Sequence, residues 1–254
     1  CREVVLIQPD KRSKTKSDHR DANQLGELLW VNRQRLLDGR KVQGLRRVHP
    51  QTPAERDDRR LTMLRRNTAR DLTRTINGVR HLLRRHNQEQ DLPTKGIQTK
   101  AAWNWLKTLE LSPLDRLELD QLLARWELLA AQQQTLDEQI RQRAAEHPQA
   151  KVLQSLPGGG TFLALGLAAR VGSIERFPQP RSLANYWGLT PQCRNSGEAT
   201  DRLGSITKQG SALARFLLGQ AVLHVLRRDA WMRGWYARIK KRRGSRIARV
   251  AVMR

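Results

Sequence analysis

The chain has 254 residues, with 48 Lys+Arg against 24 Asp+Glu and a formal net charge of +24. That length suffices for one large domain or two modest ones with real cores, and such a charge opposes compaction unless a polyanion neutralises it. Two cysteines, Cys1 and Cys193, exclude a disulfide framework and a four-ligand cysteine zinc site, and no apolar run approaches the ~20 residues that a membrane span requires.

Cysteine usage fits a reducing cytoplasm, and no signal peptide is visible in "CREVVLIQPDKR". Nucleic acid is the polyanion that the charge points to. An anionic membrane surface is the rival, disfavoured because the basic residues are spread along every segment rather than gathered on one helix. The chain opens on Cys1 and closes on "RIARVAVMR" in mid-helix, so a piece lacking material at both ends is expected.

Residues 3–8, "EVVLIQ", form a short apolar run stopped by Pro9, which suits a buried strand. After a basic loop, Ala22, Leu25, Leu28 and Leu29 recur at helical spacing, with Ser17 as a fair N-cap. Asp18 and Asp21 stand three apart at the start of that helix and so share a face. Two such carboxylates can hold Mg²⁺; acidic residues also suit any first helical turn, because the dipole favours them there.

Residues 54–86 carry Leu61, Leu64, Leu72, Ile76, Val79 and Leu82/Leu83, and residues 113–146 carry Leu114, Leu117, Leu119, Leu122/Leu123, Trp126, Leu129, Leu136 and Ile140. Recurrence at three or four predicts two long helices, joined through a short helix around Trp103 and Trp105 and packed antiparallel as a coiled-coil hairpin. The same spacing suits a plain bundle arm or one that dimerises or clamps nucleic acid. Residues 152–171 then read as an apolar helix, a turn at Pro157–Gly160, and a second apolar helix from Thr161. Gly158, Gly159 and Gly160 would let backbone N–H groups approach a phosphate at a helix N-terminus, as in a helix-hairpin-helix; an ordinary interhelical turn has the same composition. A short helix with Tyr186 and Trp187 in the core follows.

The stretch "CRNSGEATDRLGSITKQG", 193–210, has no apolar pattern. Ser196 precedes Gly197, where the chain can turn sharply and expose the hydroxyl, with Arg194, Arg202 and Lys208 supplying positive charge. Ser205 is a competing hydroxyl, and a solvated loop whose Ser and Thr cap helices is the plainer reading. Residues 211–226 make an apolar helix. In the basic tail from Arg227, Trp231 and Trp235 are read as packing residues and "KKRRGSR" as solvated or phosphate-facing, although aromatic residues among Arg and Lys also suit stacking on exposed bases.

The run from "LPGGGTFLALGLAARVGSIERF" through "LANYWGLTP", "SG" and "ITKQG" into "LAR" resembles the C-terminal domain of the insertion sequence 110 (116, 902) family of transposases, an architecture shared with Piv-type invertases. "KSDHRDANQLGELL" is similar to the last acidic pair of that family's RuvC-like N-terminal domain. The resemblance implies a mainly α chain. Residues 1–50 would be a remnant of an α/β RuvC-like, ribonuclease H-like domain, 51–148 a coiled-coil arm, and 149–254 a helical C-terminal domain with a helix-hairpin-helix. It implies a DNA transposase or recombinase that cuts and rejoins strands, with Mg²⁺ at Asp18 and Asp21 and Ser196 as nucleophile. Gly158–Gly160, Arg194, Arg202 and Lys208 would hold the DNA backbone. Some members are directed by a structured RNA, and a homo-oligomer is expected. Two of the family's four acidic positions would precede Cys1, so a non-catalytic nucleic-acid-binding relic is the alternative.

Overall fold

A computed structural model describes residues 7–8, 18–40, 46–47, 50–193 and 203–254. The chain separates into two units, Cys1–Thr52 and Pro53–Arg254. In the first, β1 (Ile7–Gln8) pairs antiparallel with β2 (Arg46–Arg47), Ile7 opposite Arg47. Between them lie α1 (Asp18–Val31) and α2 (Arg33–Leu37). The helical pattern over 17–37 is therefore broken at Asn32, which is buried and donates its side-chain amide to the Leu28 carbonyl at 2.9 Å; such local bonding competes with the helix ladder. Leu25 and Leu29, on the apolar stripe at helical spacing, are exposed. Ser17 and residues 3–6 lie outside the described residues.

The second unit is built on two long antiparallel helices, α3 (Pro53–Arg85) and α5 (Pro113–Glu146), with α4 (Lys100–Thr108) between them in sequence. Ser112 caps α5 by accepting from the Asp115 N–H, and Pro113 sits in the first turn, where its missing N–H costs nothing. Ile76, Val79, Leu82 and Leu83 meet Leu119, Leu123 and Trp126, and Ile97 and Leu106 close that end. Each fully buried leucine here contributes about 1.5–3 kcal/mol. Leu114 and Leu117 do not join the seam and are 75% and 55% exposed. At that level α3 is ending, and Arg85 pairs with Asp115 and Glu118 instead of presenting an apolar side chain.

Polar pairs occupy the opposite end of the arm. Arg65 grips both oxygens of Asp137 at 2.8 and 3.2 Å, and Arg143 meets buried Asp58 at 2.8 Å. Bidentate and half-buried pairs hold a register better than exposed ones. Here α6 (Pro148–Gln154) and α7 (Thr161–Val171) pack on the arm, Ile140 and Ala144 touching Ala150, Ala164, Leu165 and Ala168. Helix α7 is apolar on every side and buried from Leu163 onward, as an all-round apolar helix must be.

Guanidinium groups tie α3 to α7. Arg59 donates Nε to the Ala169 carbonyl at 2.6 Å and Nη2 to that of Arg170 at 3.3 Å, satisfying carbonyls that the helix end leaves open. Arg170 is only 5% exposed and donates Nη1 to the Gly166 carbonyl (2.8 Å) and to Thr62 Oγ1 (3.0 Å). Burial, with Arg59 and Arg66 close by, pushes its guanidinium down to about 10, so it is still charged at neutral pH.

A further core forms where Leu163, Leu167 and Val171 meet Trp187, Leu189, Leu213 and Leu217. It joins α7 to α8 (Pro180–Tyr186) and to α9 (Ala212–Arg228), and between these in sequence β3 (Pro191–Cys193) pairs antiparallel with β4 (Leu203–Ile206). Trp187 is buried and Tyr186 half-buried, as the sequence suggests. The last helix, α10 (Ala230–Met253), is broken at Gly244 (φ 84°, ψ 165°), and Val250 and Met253 beyond the break pack back on the core. The chain is thus mainly α. No helix among the described residues is long and apolar enough to cross a membrane.

Candidate nucleic-acid interface

The glycine hairpin joins α6 to α7, and its three glycines differ in role. Gly158 has φ +81°, and a Cβ there would come within 2.8–2.9 Å of the His224 side chain on α9. Gly159 is buried, and a Cβ would drive into the Leu153 and Leu156 carbonyls. Gly160 is exposed, has φ −59°, and has open space around its Cβ position. The Gly159 N–H donates to the Leu156 carbonyl at 2.8 Å and the Gly160 N–H to that of Gly158 at 2.9 Å. Those two donors are therefore spent inside the turn. The groups left for an anion are the first-turn N–H groups of α7, where Gly160 is the N-cap and no side chain caps the helix.

The base of the serine loop is held by interlocking backbones. Gly188 (φ +66°) lies directly against the Gln209 backbone, and Gly210 (φ +74°) directly against the Tyr186 carbonyl. The Thr207 N–H donates to the Thr190 carbonyl (2.9 Å) and the Lys208 N–H to that of Gly188 (3.1 Å). Arg215, on the first turn of α9, gathers three carbonyls through Nη1: Trp187 and Gln209 at 2.9 Å, and Gly210 at 3.4 Å. Burial lowers its pKa from the usual value. Ser211 caps α9 by accepting from the Ala214 N–H. Arg215 is the arginine of the "LAR" that ends the resembling run, but composition and spacing give it no role; its place four residues after a Gly-Ser cap is the other signal.

Ser196, Arg194 and Arg202 lie outside the described residues. Ser205 is exposed on β4. Lys208 is exposed in the left-handed region (φ 54°), which costs a non-glycine residue roughly 1–2 kcal/mol. Lys208→Gly should therefore raise the unfolding free energy by about 1 kcal/mol, and, if Lys208 meets a nucleic-acid phosphate, should lower the salt slope of binding by about 1. Paired urea melts and salt titrations check both signs.

Asp18 and Asp21 stand in the first turn of α1, both exposed. Their hard oxygen donors suit Mg²⁺, which commonly takes one or two carboxylates with water and phosphate completing its shell. Among the described residues no group of three or more His, Cys, Asp or Glu comes together. The structure brings the hairpin and the serine-loop base onto opposite ends of one helix: Lys208–Ser211 lead into α9, and His224 near its far end lies against Gly158. Twelve residues of α9 separate Ala212 from His224, roughly 18 Å of helix.

Residues 150–237 match the family model described as Transposase IS116/IS110/IS902 family. The transposase for insertion sequence element IS1111A of Coxiella burnetii is 27% identical over 246 residues, covering 93% of this chain and 63% of that protein. A Sinorhizobium fredii protein, y4qE, is 37% identical over 99 residues, 39% of this chain and 23% of its own length. An uncharacterized 43.6 kDa protein of insertion element IS110 from Streptomyces coelicolor is 39% identical over 66 residues, 26% of this chain and 16% of its own. The chain thus spans less than two thirds of the length of each of these relatives.

Proposed function

We infer, for a chain whose residues 150–237 match the IS116/IS110/IS902 transposase family model, that it acts on DNA as part of a transposase that cuts and rejoins strands. One observation carries the reading. The matched segment contains both a glycine hairpin with an uncapped helix N-terminus and a loop base clamped by Arg215, set on one helix roughly 18 Å apart. That separation is about five base pairs, or half a turn of B-DNA, so one duplex can touch both. The helix N-terminus after Gly160 would take one phosphate, and Lys208, with Arg194 and Arg202, would take others.

In this reading residues 1–50 are the last part of a RuvC-like domain, 51–148 a coiled-coil arm and 149–254 the helix-hairpin-helix domain. Ser196 Oγ attacks a phosphodiester phosphorus, and the bond to one deoxyribose oxygen breaks, leaving that strand end esterified to the serine. The departing oxygen takes up a proton, and the cations around the loop stabilise the charged phosphorane. Asp18 and Asp21 would hold Mg²⁺, which when bound supplies charge neutralisation at a phosphate. A structured RNA from the element and a second copy of the chain are the partners this mechanism would use.

The test is binding of the chain to a DNA duplex across a salt series, with Gly160→Asp as the diagnostic variant. Aspartate is a strong N-cap, so the melting temperature should hold or rise. Its charge occupies the phosphate position, so duplex affinity should fall about tenfold or more. Unchanged affinity would remove the hairpin from the interface. Absence of any salt-dependent duplex binding would overturn the DNA assignment itself.

A further inference from the structure

The sequence suggests that Trp231 packs inside the molecule; it is 67% exposed. Its ring lies parallel to that of Trp235, centroids 6.3 Å apart and planes within 6°. Trp231, Trp235, Arg238 and Arg242 follow one another at i, i+4, i+7 and i+11, so α10 presents two indoles and then two guanidiniums along one face of about 16 Å. Trp235 also lines a cavity of about 480 Å³ with Pro180, Arg181 and Ala184 of α8, and with Ala251 and Arg254. In an unbroken helix Trp235 and Ala251 would stand some 24 Å apart. They share a cavity because the chain turns at Gly244, which brings the last nine helical residues back beside the first part of α10.

We propose that this face binds an unpaired stretch of nucleic acid, bases stacking on Trp231 and Trp235 and one base entering the cavity between Arg181 and Arg254. The proposal rests on the DNA-processing reading above and adds a single-strand site to it. Charge decides between occupants. From Arg227 to the C-terminus there are eleven Arg and Lys against one acid, Asp229, whose carboxylate already accepts from the Met232 N–H. A second copy docking here would set like charge on like charge. A nucleic-acid strand brings phosphates to the guanidiniums and aromatic planes to the indoles. Base pairs hide their faces in the stack, so the indoles select an unpaired strand over a duplex. The cavity has room for an extruded base, and its two guanidiniums stand where that nucleotide's phosphate passes.

Fluorescence anisotropy with labelled oligothymidylate and oligouridylate of about fifteen nucleotides, and with a duplex of equal length, tests this on the full chain. Trp231→Ala should weaken both single-strand probes roughly tenfold and the duplex less than about twofold, while Trp231→Phe retains most of the single-strand affinity. Arg254→Ala should also fall more on single strands than on duplex. Trp231 is exposed, so the variant's circular dichroism and melting temperature should match the parent. Equal losses on both substrates, or no loss, overturn the single-strand site while leaving the duplex reading standing. A change of sedimentation coefficient in Trp231→Ala would assign the face to a second copy. Absence of binding to every probe would overturn this site and the reading beneath it together.

Discussion

Gly210→Ala should lower the stability of the larger unit by about 4 kcal/mol or more, more than any methyl addition to a surface loop. Two costs combine. Alanine at φ +74° pays roughly 1–2 kcal/mol for left-handed backbone. Its Cβ would also lie inside the van der Waals envelope of the Tyr186 carbonyl, a backbone atom that cannot rotate away. Retreat is opposed by Arg215, which holds the Trp187, Gln209 and Gly210 carbonyls on one guanidinium nitrogen. For a unit of this size the loss amounts to a melting-temperature drop of about 8–16 °C. Gly219→Ala is the internal control: it lies within α9 with nothing near its Cβ position, and should gain about 0.5–1 kcal/mol from helix propensity. A Gly210→Ala protein that melts within a degree or two of the parent would show that the two backbones are not locked together.

Ser196→Ala, placed in a polypeptide extended to the full length of its relatives, should abolish strand cleavage and leave duplex affinity within about twofold. Removing a nucleophile that forms a covalent intermediate costs about four orders of magnitude or more, because no neighbouring group can take over the bond-forming step. One oxygen lost from a loop held at its base by Arg215 would leave the proposed phosphate contacts at Lys208 and the hairpin in place. The readout is the covalent protein–DNA adduct on a denaturing gel, beside a mobility shift on the same preparation. Ser205→Ala should behave as the parent. Adduct that survives in Ser196→Ala and vanishes in Ser205→Ala would move the chemistry to the exposed hydroxyl on β4.

The long helices were legible because their burial is a local matter of period. Leucines three and four apart over more than thirty residues admit no other structure, and α3 and α5 begin and end within a residue or two of where the spacing places them. The break at Asn32 and the exposure of Leu114 and Leu117 were not legible, since each depends on what stands opposite. The hairpin showed itself as three glycines, yet their separate duties come from His224, more than sixty residues away, and from carbonyls in the preceding turn. The pairing of β3 with β4 hid in a stretch without alternation, because two short strands are fixed by the tethering at Gly188 and Gly210 rather than by a buried face. Trp231 misled for a related reason. Tryptophan in a helix usually signals a core, and only the turn at Gly244 decides which part of α10 the core receives.

The arm formed by α3 and α5 has a mechanical consequence. Thirty-three residues make α3 about 50 Å long. Near one end Arg59 ties α3 to α7, and Arg65–Asp137 and Arg143–Asp58 lock α3 to α5; toward the other, Trp126 and α4 pack against the apolar seam. A tilt of about 10° at the end tied by Arg59 would sweep the far end through about 9 Å. With the layer packed against α7 as fulcrum, a slight adjustment around α7 would be magnified at the far end of the arm.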